Sequence, residues 1–159
     1  MMAWLERLFG RAEAALSPAT PRDAGSFAAL HGASFNRGWS EHEFEQLLTD
    51  RGVVAERATS GRRNVGFIVS RRAADEAEIL SVAVARSWRG RGLARRLLDL
   101  HLRRLAGLGL RAVFLEVDEN NTPARRLYAR AGFREVGRRP GYYAQSGGKG
   151  ALVLRRDLV

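Results

Sequence analysis

One corner of the chain gathers four arginines, Arg86, Arg89, Arg91 and Arg95, around Gly90 and Gly92, where the apolar strand SVAV turns into a leucine-rich helix. The first turn of a helix leaves backbone N–H groups without internal acceptors, and the helix dipole adds roughly half a positive charge there. Glycines let an anion approach that backbone closely, so the pattern suits a phosphate. Charge-assisted bonds from Arg89 and Arg91 would strengthen the hold. The spacing is neither the GxxxxGK[ST] loop nor the GxGxxG dinucleotide turn. A tight strand-to-helix corner with exposed arginines is the other reading of the same residues.

A carboxylate and a phenol are the next candidates. In RAVFLEVD, side chains alternate, so Ala112, Phe114 and Glu116 share one face and Val113, Leu115 and Val117 the other. A strand apolar on both faces is normally covered on both, so Glu116 needs a partner or a solvated cleft. Carboxylates in such places are candidates for proton transfer. Equally, a glutamate near a strand end reaches solvent. Tyr128 sits at helical spacing between Ala124 and Ala131, which by pattern alone is a core position. Asn121, beside Thr122, suits a helix cap.

The elements that must position these groups follow from periodicity. Trp4, Leu5, Leu8, Phe9 and Ala12 share a helical face, so residues 3–16 are expected as an amphipathic helix. Residues 1–18 then form an extension to a domain spanning 19–159. After SPATPRD, Asp23 or Ser26 starts a helix through Phe35. Ser40 caps a helix Glu41–Thr49, with Glu43 closing a capping box. GVVAERA and NVGFIVSRR read as strands joined by TSGRRN, and EAEILSVAVA as a third. Helix 92–107 buries Leu93, Leu97, Leu98, Leu102 and Leu105 and turns Arg95, Arg96, Asp99, Arg103 and Arg104 outward. RAVFLEVD is the next strand. Thr122 as N-cap and Pro123 at N1 open a helix that closes at Gly132. FREVGRR and GALVLRRDL are the last strands, separated by PGYYAQSGGK. The order predicts one mixed α/β domain around a single sheet.

Composition narrows the function. The 159 residues suffice for one domain with a real core, and 45% hydrophobic with 28% charged residues is ordinary for a globular protein. With no cysteine, disulfides and thiolate metal sites are out. His31, His42 and His101 lack ligand spacing, so no metal is expected. The net charge of +10 favours anionic partners. Its cations are 26 arginines and Lys149, a skew read as coding bias ahead of RNA binding. No run of five basic residues and no basic–aromatic stripe occurs. The N-terminus carries Glu6 and Glu13 and no continuous apolar core, unlike a signal peptide. No apolar run approaches the ~18 residues of a membrane span. A cytoplasmic monomer is expected, with no membrane and no direct nucleic-acid partner.

RGRGLA, Arg89–Ala94, fits the [Q/R]-x-x-G-x-[G/A] signature of the GNAT superfamily of acetyl-CoA-dependent N-acetyltransferases, with SVAV before it and NNTPARRLYARAGF some thirty residues on. ASFNRGWSEHEF, FLEVDENNTPARRLYARAGF and GRRPGYY resemble the RimI-type ribosomal-protein N-terminal-alanine acetyltransferases, and the resemblance covers about residues 20–159. It implies an α/β fold with a mixed, mostly antiparallel sheet flanked by helices on both faces. It implies acetyl-CoA as cosubstrate, with the diphosphate on the amides of Arg89, Gly90, Arg91, Gly92, Leu93 and Ala94. The pantetheine arm would lie along Val82, Ala83 and Val84, and Asn121 would bond the cofactor. By the same resemblance Glu116 is a general base, usually through water, and Tyr128 the acid that protonates the departing thiolate. Trp39 would wall the acceptor pocket, and Tyr142 and Tyr143 would hold a peptide backbone. The implied acceptor is a protein N-terminus, that of ribosomal protein S18, with a lysine, polyamine or drug amine as the alternative. A non-catalytic basic module associated with RNA is a third reading. QSGGKG departs from the family, where an acidic residue or two often follows the tyrosines.

Overall fold

The computed structural model describes residues 13–140 and 150–159. Its strands are β1 (Ala15–Pro18), β2 (Val53–Ser60), β3 (Arg63–Ala73), β4 (Glu76–Val84), β5 (Ala112–Asp118), β6 (Arg134–Pro140) and β7 (Gly150–Asp157). Its helices are α1 (Ala24–Ser34), α2 (Glu41–Thr49), α3 (Leu93–Gly107) and α4 (Thr122–Arg130). The strands form one sheet in the order β1-β2-β3-β4-β5-β7-β6. Every neighbour pair is antiparallel except β4 and β5. A parallel pair needs a crossover, and α3 supplies it.

Helices cover both faces. The leucines of α3 and Tyr128 and Leu127 of α4 pack on one face with Ile68, Ile79, Val113 and Leu115. Phe27 of α1 and Phe44 of α2 pack on the other with Phe67, Val69 and Ala83. The five leucines expected on the stripe of α3 are all buried, each contributing about 1.5–3 kcal/mol over exposure. At Gly66 the helix meets the sheet directly: an added Cβ would stand 3.2 Å from both Ala83 O and Leu97 Cδ1. The Ser40 box forms as expected, with Ser40 N–H donating to Glu43 Oε2 at 2.7 Å and Glu43 N–H to Ser40 Oγ at 3.1 Å.

Two expectations need correction. Ala15 and Leu16 lie in a strand, not in a helix: β1 pairs antiparallel with β2, Ala15 opposite Thr59 through Pro18 opposite Glu56. The apolar helical spacing ends before that edge strand starts, and residues 3–12 lie outside the described residues. The cap of α4 is Asn121, not Thr122, since Asn121 Oδ1 accepts from Ala124 N–H at 3.2 Å. Both residue types cap well, and proline is tolerated anywhere in the first turn, so composition did not choose between them.

Candidate active site

The glycine corner has the backbone its residue types call for. Gly90 and Gly92 take φ of +76° and +77°, the left-handed region that glycine alone enters without strain. A Cβ added at either meets nothing within 4 Å, so the space above both is open. Gly92 is the N-cap of α3 and provides no side-chain acceptor, so the first N–H groups of the helix face that space uncapped. The arginines are arranged less directly than their spacing implies. Arg89 donates through Nε to Val84 O and through a terminal nitrogen to Ser34 Oγ, each at 3.3 Å. Arg91 lies over the Trp88 ring, 4.5 Å from its centroid. Both are exposed, and Leu93 is buried beneath the turn.

Beside the corner, two strands part. β4 and β5 pair only from Glu76–Ile79 against Ala112–Leu115. The cause is a bulge: Val69 of β3 opposes Ser81 while the next residue, Ser70, opposes Ile79, leaving Leu80 unpaired. A bulge bends its strand and raises the local twist. Val82, Ala83 and Val84 therefore keep β3 on one side, opposite Ile68, Phe67 and Gly66, and among the described residues have no strand on the other. The outcome is a wedge with a free strand edge leading to the glycine corner.

Glu116 and Tyr128 belong to opposite faces of the sheet. Glu116 shares a cavity of about 330 Å³ with Arg71, Glu76, Glu78, Phe114 and Arg139. Its Oε1 pairs with Arg139 Nε at 3.0 Å, and its side chain is 25% exposed. Tyr128 is buried in the α3-side core, edge-on to Phe133 at 5.5 Å. Burial pushes its phenol up to about 12, so the hydroxyl keeps its proton at neutral pH.

A second opening adjoins the first on the α2 side, where Trp39, Glu43, Gln46, Leu47, Asp50, Arg71 and Leu80 line about 390 Å³. Arg71 borders both. Among the described residues the two carry five carboxylates, Glu43, Asp50, Glu76, Glu78 and Glu116, against Arg71 and Arg139, in a chain of net charge +10. Trp39 is held by His31: the rings stack at 4.5 Å, and Trp39 N–H donates to His31 Nδ1 at 3.0 Å. Burial lowers the pKa of that imidazole and Glu43 opposes the shift only partly, so the ring accepts as the neutral form.

The structure sets Val82–Val84 along the edge that leads to the 89–94 turn, Glu116 and Trp39 on two openings that share Arg71, Tyr128 in the core under α3, and Asn121 exposed at the start of α4. Tyr142 and Tyr143 lie outside the described residues. Sequence reasoning missed Arg139, Arg71 and His31. For His31, a weak signal existed: an imidazole eight residues before a tryptophan in a phenylalanine-rich stretch. For Arg139, none did, because β7 lies between its strand and that of Glu116.

Comparison with known proteins bears on the family and the fold. Residues 25–133 match the acetyltransferase (GNAT) family. An uncharacterized protein of Mycobacterium leprae is 34% identical over 144 residues, 87% of this chain but 39% of that one. The [ribosomal protein bS18]-alanine N-acetyltransferase of Haemophilus influenzae is 36% identical over 91 residues, 57% of this chain and 62% of that one. Each of these matches therefore spans less than two thirds of the relative. The crystal structure of the ribosomal-protein-S18-alanine N-acetyltransferase from Escherichia coli superposes with a TM-score of 0.84 at 24% identity, covering 91% of this chain and 94% of that one.

Proposed function

Since the chain belongs to the acetyltransferase (GNAT) family, we propose that it moves an acetyl group from acetyl-CoA to the α-amino group of a protein N-terminus, with the alanine of ribosomal protein S18 the acceptor its relatives suggest. The observation that carries the reading is the wedge: a free strand edge that leads to an uncapped helix start with two open glycines. Acetyl-CoA fits these residues. A diphosphate suits the amides from Arg89 to Ala94, and a pantetheine amide chain suits the free edge of Val82–Val84, as an added strand would. Asn121 keeps its amide nitrogen for the ligand, because only Oδ1 serves the cap.

Bound acetyl-CoA supplies an activated thioester. The chain's residues move the protons. Glu116 takes one from the acceptor ammonium through water, on the face that opens to solvent. Tyr128, held protonated by burial, donates one toward the departing thiolate from the other face. A backbone N–H near Val84 steadies the developing oxyanion. Arg139 holds the Glu116 carboxylate in place until the acceptor arrives.

An α-amino group has a pKa near ~8 and is about a tenth neutral at pH 7, whereas a lysine at ~10.4 demands roughly 3 kcal/mol more to deprotonate. A carboxylate acting through water is adequate for the first. The five carboxylates of the two openings favour a cationic acceptor, which also supports a second reading, a polyamine. A panel of N-terminal peptides, lysine peptides and polyamines with acetyl-CoA, followed by CoA release, separates them. The expected result is fastest turnover with a free peptide N-terminus. Turnover of polyamines without any peptide turnover overturns the first reading.

A further inference from the structure

Inside the leucine core under α3 lies a chain of polar groups that the proposed chemistry does not use. Ser70 Oγ and His101 Nε2 are 2.6 Å apart, His101 Nδ1 and Glu56 Oε1 3.2 Å, and Glu56 Oε2 accepts from an Arg104 guanidinium nitrogen at 2.6 Å. Ser70 and His101 are 0% exposed and Glu56 1%. The order hydroxyl, imidazole, carboxylate is that of a hydrolytic triad. No described cavity reaches these three, so no substrate meets the hydroxyl.

Stability alone is a weak reason for such a cluster. Apolar residues of similar volume often replace buried ionic groups at no loss, and registry is the best-attested benefit of keeping them. Leucine packing is non-directional and lets a helix slide or roll, whereas hydrogen bonds fix one position. The two ends of this network are telling. His101 and Arg104 belong to α3, whose first residue follows Gly92, nine residues and about 13 Å before His101. Ser70 is the β3 residue at which the register shifts against the bulged Leu80. One network therefore ties the helix that begins the glycine corner to the strand position that opens the wedge.

We propose that Glu56, His101 and Ser70 are positioning residues that lock α3 and the Leu80 bulge in one relative register, so that corner and wedge stay aligned for a single ligand. This rests on the acetyl-CoA reading of the wedge. The network touches neither cofactor nor acceptor. Its effect falls on cofactor binding alone.

The test is Ser70→Ala, which cuts the link to the bulge, alongside the apolar double variant Glu56→Leu/His101→Leu. In Ser70→Ala, hydrogen exchange measured without any ligand is expected to quicken about tenfold at residues 80–85 and 92–97, but not in the second half of α3 or in β6 and β7. The KM for acetyl-CoA is expected to rise about tenfold, with acceptor KM and kcat within about twofold. A merely structural role predicts a lower melting point, exchange that quickens evenly along α3, and both KM values unchanged. That result overturns the proposal, as does local quickening with an unchanged KM for acetyl-CoA. Should the double variant fail to fold, Ser70→Ala decides by itself. Should the wild-type protein show no calorimetric binding of CoA, the acetyl-CoA reading falls, and the exchange pattern alone decides whether the network aligns the two elements.

Discussion

The two faces of the sheet are built from different materials. Under α3 the packing is aliphatic, five leucines on Ile68, Ile79 and Val113, with one buried polar chain threaded through it. Under α1 and α2 it is aromatic: Phe27 stacks on Phe67 at 4.5 Å, Phe44 meets both edge-on, and His31 carries the stack outward to Trp39. The first face ends in an uncapped helix start whose backbone amides are fixed by the helix. The second ends in a half-buried indole at the rim of an open groove. Amides placed by a rigid helix suit a ligand that never changes. Large rings with few rotamers suit a wall along which varied chains can lie. In the proposed reaction the α3 face serves the cofactor and the α1/α2 face the acceptor, so substitutions should separate along the same line.

The largest effects fall where the faces meet. Glu116→Gln and Tyr128→Phe are each expected to lower kcat about 10²-fold while leaving CoA affinity, read by calorimetry, nearly intact. Unchanged turnover in both would remove them from the mechanism and leave the wedge as a binding site only. Tyr128→Phe also sharpens an alkaline signature. The phenol's pKa rises from 10 to about 12 on folding, so the unfolded chain loses its proton first. Stability is therefore full below pH ~10 and falls by up to a few kcal/mol as pH rises toward ~12. The variant should lack that loss in melting experiments.

Next comes the cofactor face by itself. Gly66→Val puts methyl groups where Leu97 Cδ1 and Ala83 O already stand 3.2 Å from a Cβ. Overpacking of this kind costs about 1–3 kcal/mol. Lifted off the sheet at this end, α3 carries its first turn with it, so KM for acetyl-CoA should rise and the acceptor KM should hold. A change in the acceptor KM instead would erase the division between the faces. Trp39→Ala is the mirror experiment: the acceptor KM is expected to rise roughly tenfold with acetyl-CoA unaffected.

What was legible in advance depended on how far apart the cooperating residues lie. The glycine corner was legible because a left-handed φ at 90 and 92 admits few residue types, and the Ser40–Glu43 box because both partners fall within one turn. The leucine stripe of α3 needed only its own period. The Ser70–His101 contact spans 31 residues and His101–Glu56 spans 45, and no local pattern marks either. The bulge at Leu80, which opens the wedge, is a mismatch between two strands and belongs to neither sequence alone. Ala15 and Leu16, the first half of β1, were read as helix because an edge strand of four residues draws its identity from its partner β2. Glu116 was legible as a polar residue in an apolar strand, yet its Arg139 partner arrives from two strands away.

A smaller effect tests the hold on Trp39. His31 keeps its ring neutral and accepts from Trp39 N–H, and its pKa is lowered from 6.5 by burial, with Glu43 opposing. The unfolded chain therefore takes up a proton first as pH falls. That contribution to stability is whole above pH ~6.5 and shrinks below it. In His31→Gln, whose amide oxygen still accepts, the melting point should vary less between pH 5 and 7 than in the wild type. An equal slope in both would mean that another group sets the acid limb.

The smallest effect separates folding from function on the acceptor face. Ser40→Ala removes the oxygen that takes Glu43 N–H, and with it one half of the box at the start of α2. A lost cap of this kind costs about 1 kcal/mol. For a domain of this size, the melting point should fall by about 2–4 °C. Phe44, fully buried one turn on, still anchors the helix against Phe27 and Phe67, so the groove wall should stay in place. The acceptor KM is then expected within about twofold of wild type, measured well below the melting point. A larger rise would show that α2 reaches the acceptor through its first turn, where Glu43 also lines the groove, and that the aromatic stack is not what steadies that wall.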